Sequence, residues 1–365
     1  MRESDEIRIA QRGGLVVVTL NRPRALNALS FAMCRTMYDG LASWEANPDV
    51  HAVLIKGTGE RAFCAGGDIR WLYDVLTSRG EGPALAFYAL EYPMNARLHH
   101  FTKPYIALLD GITMGGGVGV SVHGSHRVVT ERTVFAMPET GIGFFPDVGA
   151  TYVLPRLRGA LGMYLGLSGA RLGPADCVWA GIGSCYVPSD RFEELEARLA
   201  EADLAIDAHA RVERVLDDLR GDPGRAPLAE QIGRIDACYG QRDLNAVLHA
   251  LGAEQTGWGQ TQLEQLSTKS PTSLAVTFRQ LQEGAALSFD DAMRLEYRLV
   301  PRFLAGHDFR EGVRALIVDK DGRPDWRPSR LEDVSAADVD AYFEPLRGGD
   351  LQLEGHASTA EQGDR

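Results

Sequence analysis

The sequence predicts an α/β protein whose second half is helical. In the first part of the chain, short runs of aliphatic residues alternate with helical segments, which is the order that builds α/β architecture. Residues 191–218 and 226–304 instead carry Leu, Ala, Glu and Arg at helical spacing, with little strand signal. Because the loops of the first part are irregular, we expect β-β-α units rather than a doubly wound sheet.

The individual elements follow from local signals. Residues 7–11 and 15–20 predict two strands, and the Asn and Pro within residues 21–24 predict a turn. Ser30 is placed to cap a helix that reaches about Asn47 and that Pro48 ends. The other predicted elements are a buried strand at 53–55, a loop at 57–67, a helix beginning at residue 68, a helix at 83–102, a strand at 105–109, a short helix at 115–123, and strands at 126–130 and 133–136.

The domain organisation is predicted from the change from alternating strand and helix signals to helical signals alone. We expect a core over residues 1–200, a helical C-terminal region over 201–348 and a polar, disordered tail over 349–365. The chain has 365 residues, of which 45% are hydrophobic and 24% charged, and this is the composition of a soluble globular protein.

Charge and cysteine content argue against several classes of function. The formal net charge of −12 disfavours nucleic acid or an anionic membrane as the main partner. No apolar run approaches the roughly 18 residues that span a bilayer, and the N-terminal residues have the character of neither a signal peptide nor a transit peptide. The five cysteines lack metal-ligand spacing, so we expect reduced thiols and a cytoplasmic protein.

Two glycine-rich segments each follow a predicted strand and open a helix. The first covers residues 62–68 and the second is the triplet at 115–117. Glycine lets a ligand approach the backbone closely, and free N–H groups at the start of a helix stabilise an oxyanion. Either segment alone is an ordinary turn into a helix, with Asp68 as the cap of the first. Together they predict a two-amide oxyanion hole.

Two carboxylates follow the glycine triplet on irregular backbone. Glu139 comes after Pro138 and Asp147 after Pro146, in a stretch with several large apolar residues. A carboxylate next to a proline commonly caps a turn, but one kept among apolar side chains acquires a raised pKa and a use in acid–base chemistry. We therefore predict Glu139 and Asp147 as catalytic acids. Glu91 has a weaker signal, and from the sequence alone an acid on a helix surface is the better interpretation.

Other chemistry-bearing residues have simpler interpretations. The histidines at 99, 100, 123 and 126 lack a carboxylate or cysteine at zinc-ligand spacing, so we predict no metal site. Cys64 lies beside the predicted oxyanion loop without an activating base near it in sequence, and a small buried apolar residue is the better interpretation.

Longer motifs join these segments from about residue 6 to about residue 345. They are LNRP at 20–23, LNAL at 26–29, FCAGGD at 63–68, GITMGGGVG at 111–119, the stretch 135–149, SPTSL at 270–274, HDFREGVR at 307–314, DKD at 319–321 and WRP at 326–328. This set resembles the crotonase (enoyl-CoA hydratase/isomerase) superfamily. From residue 111 onward it is similar, more specifically, to the 3-hydroxyisobutyryl-CoA hydrolase family.

The resemblance implies both a fold and a set of site residues. The fold is a crotonase-like spiral of β-β-α units, with a helical C-terminal region that covers the site or builds subunit contacts. The implied oxyanion hole is made by the backbone N–H groups of Gly67 and Gly116. Glu139 corresponds to the acid/base glutamate, Asp147 to the second acid of the hydrolases, and Glu91 to a residue of the substrate pocket.

Two positions separate the branches of the superfamily. Hydratases carry a second glutamate where this chain has Gly119, and hydratases and many isomerases carry a small residue, usually glycine, at the place of Asp147. The resemblance therefore implies hydrolysis of a short 3-hydroxyacyl-CoA thioester rather than hydration of a C=C bond. The leading substrate is 3-hydroxyisobutyryl-CoA of valine breakdown. An acid at position 147 can orient water or the 3-hydroxyl, or protonate the leaving thiolate.

Two alternatives stay open at this point. An enoyl-CoA isomerase or degenerate hydratase needs only Glu139 as a proton shuttle, and a non-catalytic CoA-binding protein needs neither acid. We predict no cofactor other than the coenzyme A of the substrate itself, and we leave a homo-oligomer open. Because the chain is acidic, local cations must hold the CoA phosphates, and Arg22, Arg24 and Lys320 are the candidates.

Overall fold

The computed structural model describes residues 5–353, and its strands form two sheets. The strands are β1 (Ile7–Arg12), β2 (Leu15–Leu20), β3 (Ala52–Gly57), β4 (Ala62–Cys64), β5 (Tyr105–Leu109), β6 (Ile112–Met114), β7 (His126–Val129), β8 (Val134–Ala136) and β9 (Cys185–Tyr186). The larger sheet has the order β1-β2-β3-β5-β7-β9, and the smaller has the order β4-β6-β8. All neighbours are parallel except β1 and β2.

The chain visits the two sheets in alternation. β3, β5 and β7 each lie in the larger sheet, and each is followed by a strand of the smaller sheet. Helical segments then return the chain to the larger sheet. This arrangement confirms the predicted spiral of β-β-α units. It also brings the ends of β4 and β6, with the glycine-rich segments that follow them, side by side.

The larger sheet is buried on both faces, which explains the nearly continuous apolar sequence of its central strands. In β2, Val16, Val18 and Leu20 point into the main hydrophobic core, whereas Leu15 and Val17 point into a second core on the opposite face. Successive side chains of a strand alternate in direction, so one apolar run serves both cores.

The helices within residues 5–353 build both layers around the sheets. They are α1 (Phe31–Ala46), α2 (Ile69–Arg79), α3 (Glu81–His99), α4 (Gly116–Gly119), α5 (Ala150–Val153), α6 (Leu161–Ser168), α7 (Pro174–Ala180), α8 (Phe192–Glu201), α9 (Ala208–Leu219), α10 (Pro227–Tyr239), α11 (Leu244–Ala253), α12 (Trp258–Ser267), α13 (Pro271–Gly284), α14 (Phe289–Ala305), α15 (His307–Val313) and α16 (Ala336–Phe343). The Ser30 side chain caps α1 as predicted, by accepting from the N–H of Met33.

The second core is covered by α8 and α9, whose leucines and valines pack on the outer face of the larger sheet. The predicted domain boundary at residue 200 falls within α8, just before that helix ends at Glu201. Both helices cover the same sheet face, so the cover of the larger sheet extends beyond residue 200.

The C-terminal helices pack on the main core, and α14 lies against α3. The predicted tail begins at residue 349, and two of its first residues contact the rest of the chain. Arg298 of α14 donates hydrogen bonds to Asp350, and Leu351 is buried. The start of the predicted tail therefore has defined contacts with the helical region. The remainder, from 354 onward, lies outside the described residues.

The sequence-based prediction omits two of the three strands of the smaller sheet, β4 and β6, whereas it includes β8. β4 lies inside the predicted loop at 57–67, and β6 precedes the glycine triplet. Both strands have three residues, which is too short for a periodic signal. No helix among residues 5–353 has the length and hydrophobicity needed to cross a membrane.

Candidate active site

The first glycine-rich loop is held by an extended partner segment. The N–H of Leu29 donates to Gly66 O at 2.8 Å, and the N–H of Asp68 donates to Leu29 O at 2.9 Å. Arg22 ties the two segments together, because its guanidinium donates to Ala28 O and to Asp68 Oδ2, each at 2.7 Å. Within residues 5–353 the N–H of Gly67 has no hydrogen-bond acceptor. The loop therefore presents this amide to the adjacent cavity.

The glycine triplet places a second amide beside the first. Gly115 has a left-handed φ of 48°, and α4 begins at Gly116. A Cβ on Gly116 would lie 3.1 Å from Gly67 N, and a Cβ on Gly117 would lie 2.1 Å from Cys64 O. Side chains are thus excluded at both positions. The structure brings the N–H groups of Gly67 and Gly116 together at the start of a helix, as an oxyanion hole requires.

Glu139 faces this pair of amides from a 3-10 turn, Glu139–Ile142. Its side chain is 6% exposed, and a Cβ on Gly115 would lie 3.3 Å from its Oε1. Its Oε2 has no hydrogen-bond partner among the described residues. Burial, and then the charge of Asp147, raise the pKa of Glu139 well above its usual range. The residue thus offers an unsatisfied carboxyl oxygen to a ligand.

Asp147 is also 6% exposed and accepts a hydrogen bond from the hydroxyl of Tyr92 at 2.9 Å. Burial raises the pKa of Asp147 to about 7, against the opposing effect of the Tyr92 hydrogen bond. A carboxyl group with a pKa near neutrality is suited to both accepting and donating a proton. Tyr92 was missed by the sequence analysis, although it directly follows Glu91.

Glu91 completes a group of three carboxyl residues that line one cavity. It lies on α3, is 2% exposed, and its Oε1 has no partner among the described residues. Burial, followed by the charges of Asp147 and Glu296, raises its pKa. The predicted helix-surface alternative for Glu91 is therefore wrong, because the side chain points inward.

The cavity has a volume of about 150 Å³ and a mainly apolar wall. Gly67, Gly116, Glu91, Glu139 and Asp147 all line it, so the structure brings every predicted site residue other than the cations to one place. The apolar wall includes residues that the sequence analysis did not identify: Ile69, Leu72, Phe87, Tyr88 and Ile317. Ile317 belongs to a π-helical turn, Arg314–Val318, which follows the HDFREGV motif.

The environment of Gly119 leaves little room for a larger side chain. A Cβ at this position would lie 2.7 Å from Asn95 Nδ2 and 2.8 Å from Val148 Cβ. Both neighbours are buried. A second glutamate of the hydratase kind would require these residues to move.

The three predicted phosphate ligands have different surroundings. Arg22 is largely buried and also pairs with Glu6, so its guanidinium is occupied in joining the two loops. Arg24 is exposed on the 3-10 turn Pro23–Ala25. Lys320 is exposed and lies three residues beyond Ile317 of the cavity wall. The structure therefore favours Arg24 and Lys320 over Arg22 as cations for a ligand.

The cysteines and His123 have environments that suit a structural role. Cys64 is fully buried, and burial raises the pKa of its thiol to about 12, which disfavours a nucleophilic thiolate. All five cysteines are free and buried. His123 donates through Nε2 to Val148 O at 2.7 Å, and burial lowers its pKa to about 3.

Comparisons with known proteins agree with this geometry. The enoyl-CoA hydratase/isomerase family model matches residues 15–343. The chain is 44% identical to the mitochondrial 3-hydroxyisobutyryl-CoA hydrolase of Xenopus tropicalis, over 95% of this chain and 91% of that protein. It is 40% identical to the human protein of the same name, over 96% and 91%. The chain belongs to the 3-hydroxyisobutyryl-CoA hydrolase family. The predicted family is thereby confirmed.

Two solved structures show the same fold under different names. A carnitinyl-CoA dehydratase from Mycobacterium thermoresistibile is 40% identical, with a TM-score of 0.89 over 97% of this chain and 100% of that one. An enoyl-CoA hydratase from Rhodobacter sphaeroides is 36% identical, with a TM-score of 0.86 over 95% and 100%. These likenesses confirm the predicted crotonase fold.

The buried acids generate a prediction about stability. The protonated form of Asp147 contributes stability that is complete below the unfolded pKa of 3.8 and is lost as the pH rises to about 7. We therefore expect the melting temperature to fall between about pH 4 and pH 7 and to level off above that range. Asp147→Asn should make this fall shallower, because the amide does not titrate. Thermal unfolding across the pH range measures both slopes.

The control for this measurement is Asp110→Asn, which removes a carboxylate paired with Arg132 outside the cavity. It should leave the slope as in the unmodified protein. An equally steep fall in Asp147→Asn would show that Asp147 does not carry the raised pKa.

Proposed function

We propose that this protein hydrolyses 3-hydroxyisobutyryl-CoA, or a closely related short 3-hydroxyacyl-CoA, to the free acid and CoA. The observation that carries the proposal is the pair Glu139 and Asp147, two buried carboxyl groups that line one cavity with the two oxyanion amides. The names of the curated relatives support the same activity. The packing around Gly119 argues against the two-glutamate arrangement of a hydratase.

In the proposed reaction the thioester oxygen accepts hydrogen bonds from the N–H groups of Gly67 and Gly116. These donors stabilise the negative charge that develops on the oxygen when the carbonyl carbon is attacked. Glu139 either takes a proton from the attacking water or attacks the carbon itself to form a mixed anhydride. Its unsatisfied Oε2 suits both routes, because the oxygen needs no existing partner to be displaced.

Asp147 has its role at the leaving group. As the C–S bond breaks, the thiolate takes a proton from the carboxyl group of Asp147 and leaves as the CoA thiol. In the anhydride route, water then cleaves the acyl–Glu139 bond and returns a proton to Asp147. A pKa of about 7 allows Asp147 to be protonated in one step and ionised in the other.

The size and lining of the cavity support a short, hydroxylated acyl group. A cavity of about 150 Å³ matches a ligand of roughly the size of benzene. Its wall is apolar apart from the acids, the amides and the phenol of Tyr88, so a branched four-carbon chain fits the surface. Glu91 and Asp147 are the polar side chains that can bond the 3-hydroxyl. Remote binding energy comes from the CoA moiety, for which we propose Arg24 and Lys320 as phosphate contacts.

An enoyl-CoA isomerase or hydratase is the second candidate. It is favoured by the names of the two solved structures, a dehydratase and a hydratase. Glu139 alone can move a proton between carbon atoms above the same oxyanion hole. Because Asp147 adds an acid that such chemistry does not require, we rank hydrolysis first. A non-catalytic CoA-binding protein would need neither acid.

The cellular compartment is proposed from the state of the cysteines. Free, buried cysteines suit a reducing compartment, and we propose the cytoplasm. The names of the curated relatives specify mitochondria for those proteins. Cell fractionation with an antibody against the protein tests the compartment, and light scattering tests whether the protein forms a homo-oligomer.

The first test is a substrate panel with free thiol as the readout. CoA should be released from 3-hydroxyisobutyryl-CoA or 3-hydroxypropionyl-CoA faster than from acetyl-CoA or crotonyl-CoA, because Glu91 and Asp147 can bond the 3-hydroxyl. Crotonyl-CoA hydration is followed in parallel by loss of the enoyl absorbance. Rapid hydration without CoA release would replace the hydrolase proposal with the hydratase alternative.

The second test concerns Glu139. Glu139→Gln should lower kcat by about 100- to 10,000-fold, which is the usual contribution of a positioned acid or base. KM should change little, because the amide is nearly isosteric with the carboxyl group. Glu196→Gln is the matched control, since Glu196 is a buried glutamate that pairs with Arg12 and Lys56 on the other side of the larger sheet. Full activity of Glu139→Gln would remove Glu139 from the mechanism.

A further inference from the structure

The turn that carries Asp147 has an unusual backbone. Val148 has a φ of 54° and Gly149 a φ of 92°, so two successive residues are left-handed. A β-branched residue is rarely found in this conformation, because its side chain crowds the backbone. Such a conformation persists only where surrounding contacts hold it, and it is often found at functional sites.

The C-terminal helical region supplies the strongest of them. Glu296 of α14 accepts hydrogen bonds from Gly149 N at 2.8 Å and Thr151 N at 2.9 Å. α5 begins with Gly149 as its N-cap and has no side-chain cap of its own. The carboxyl group of Glu296 thus takes the place of a local N-cap, although it is 147 residues away from Gly149 in sequence. Glu296 is fully buried.

Gln280 of α13 holds the other side of the same turn. Its Nε2 donates to Pro146 O at 2.6 Å and to Thr151 Oγ1 at 2.7 Å. Pro146 directly precedes Asp147, so this bond fixes the backbone on which the acid is carried. Gln280 is also fully buried. Neither residue lines the cavity, so neither is placed to touch a ligand.

Two contacts from the rest of the site complete the arrangement. His123 donates to Val148 O, and Tyr92 donates to the carboxyl group of Asp147 itself. The Asp147 carbonyl accepts from Ala150 N within the turn. The backbone around Asp147 is therefore bonded on both sides, and the two bonds of Gln280 and the two of Glu296 come from outside the sheet core.

We propose that Gln280 and Glu296 are positioning residues for Asp147, which makes the C-terminal helices part of the hydrolytic machinery rather than only a cover for the site. The proposal rests on the proposed hydrolase function, because it assigns Asp147 to the cleavage of the thioester. Its distinctive consequence is that Gln280, which is uncharged, acts through Asp147 alone, whereas the charge of Glu296 also raises the pKa values of Glu91 and Glu139. The oxyanion amides and Glu139 belong to other segments and do not depend on these four hydrogen bonds.

Measuring two activities of the same protein distinguishes a positioning role of Gln280 and Glu296 from a general structural role. Release of CoA requires Asp147, whereas exchange of the α-proton of a bound acyl-CoA with deuterium requires only the two amides and Glu139 as a base. Gln280→Leu and Glu296→Gln should each lower kcat for CoA release by about 10- to 100-fold, the effect of a small misplacement of a catalytic group. For Gln280→Leu, the rate of α-proton exchange and KM should stay close to those of the unmodified protein.

The matched controls are a buried glutamine and a buried glutamate outside the turn. Gln262→Leu breaks the hydrogen bond with Tyr239 between α10 and α12, and Glu196→Gln breaks ion pairs on the other side of the larger sheet. Both controls should leave the ratio of CoA release to α-proton exchange unchanged. A second arm adds Gln280→Leu to an Asp147→Asn protein, where it should have almost no further effect on CoA release.

The outcomes are distinguishable. If the unmodified protein releases no CoA from any acyl-CoA, the proposed function fails. If it does release CoA, the positioning role is overturned by a Gln280→Leu protein whose kcat is near that of the unmodified protein, or by a Gln280→Leu protein that loses both activities in parallel. If Glu296→Gln does not fold, Gln280→Leu decides, because it removes a donor without placing a new polar group in the core.

Discussion

The active site depends on keeping several carboxyl groups out of water around one small cavity. Glu91, Glu139, Asp147 and Glu296 are all buried, and for each of them burial is the largest cause of a raised pKa. Burial disfavours the ionised forms, and mutual repulsion disfavours having several of them ionised at once. The same environment that lowers stability at neutral pH supplies a carboxylic acid able to give up a proton there. The two glycine amides and the Asp147 turn are relevant to the chemistry because they lie beside this group of acids.

Both halves of the chain contribute to the site, and each contributes a different part. Alternation between the two sheets places the ends of β4 and β6 together, and the glycines after them form the paired amides. The C-terminal helices contribute no oxyanion donor, yet they hold the turn that carries the second acid. The hydratase and hydrolase alternatives share the first half of this arrangement. What distinguishes this chain is therefore the acid at 147 and the support that it receives.

Local sequence signals predicted the parts of the structure that depend on local interactions. Apolar runs identified β2, β3 and β5, Ser30 identified the start of α1, and the glycine segments with Glu139 and Asp147 pointed to the site. The three-residue strands β4 and β6 lacked a periodic signal. Glu296 and Gln280 could not be found because each reaches the Asp147 turn from more than 120 positions away. Arg22 was predicted as a phosphate ligand, but its ion pairs with Glu6 and Asp68 exist only once the two loops meet.

We propose that Asp147 is the residue that allows this fold, with its two oxyanion amides, to hydrolyse a thioester. The most direct measurement compares CoA release and α-proton exchange in deuterated water for the unmodified protein and for Asp147→Gly, which restores the residue typical of hydratases. We expect the variant to lose CoA release while exchange persists, because Gly67, Gly116 and Glu139 remain in place. An Asp147→Gly protein that still releases CoA at the original rate would contradict it.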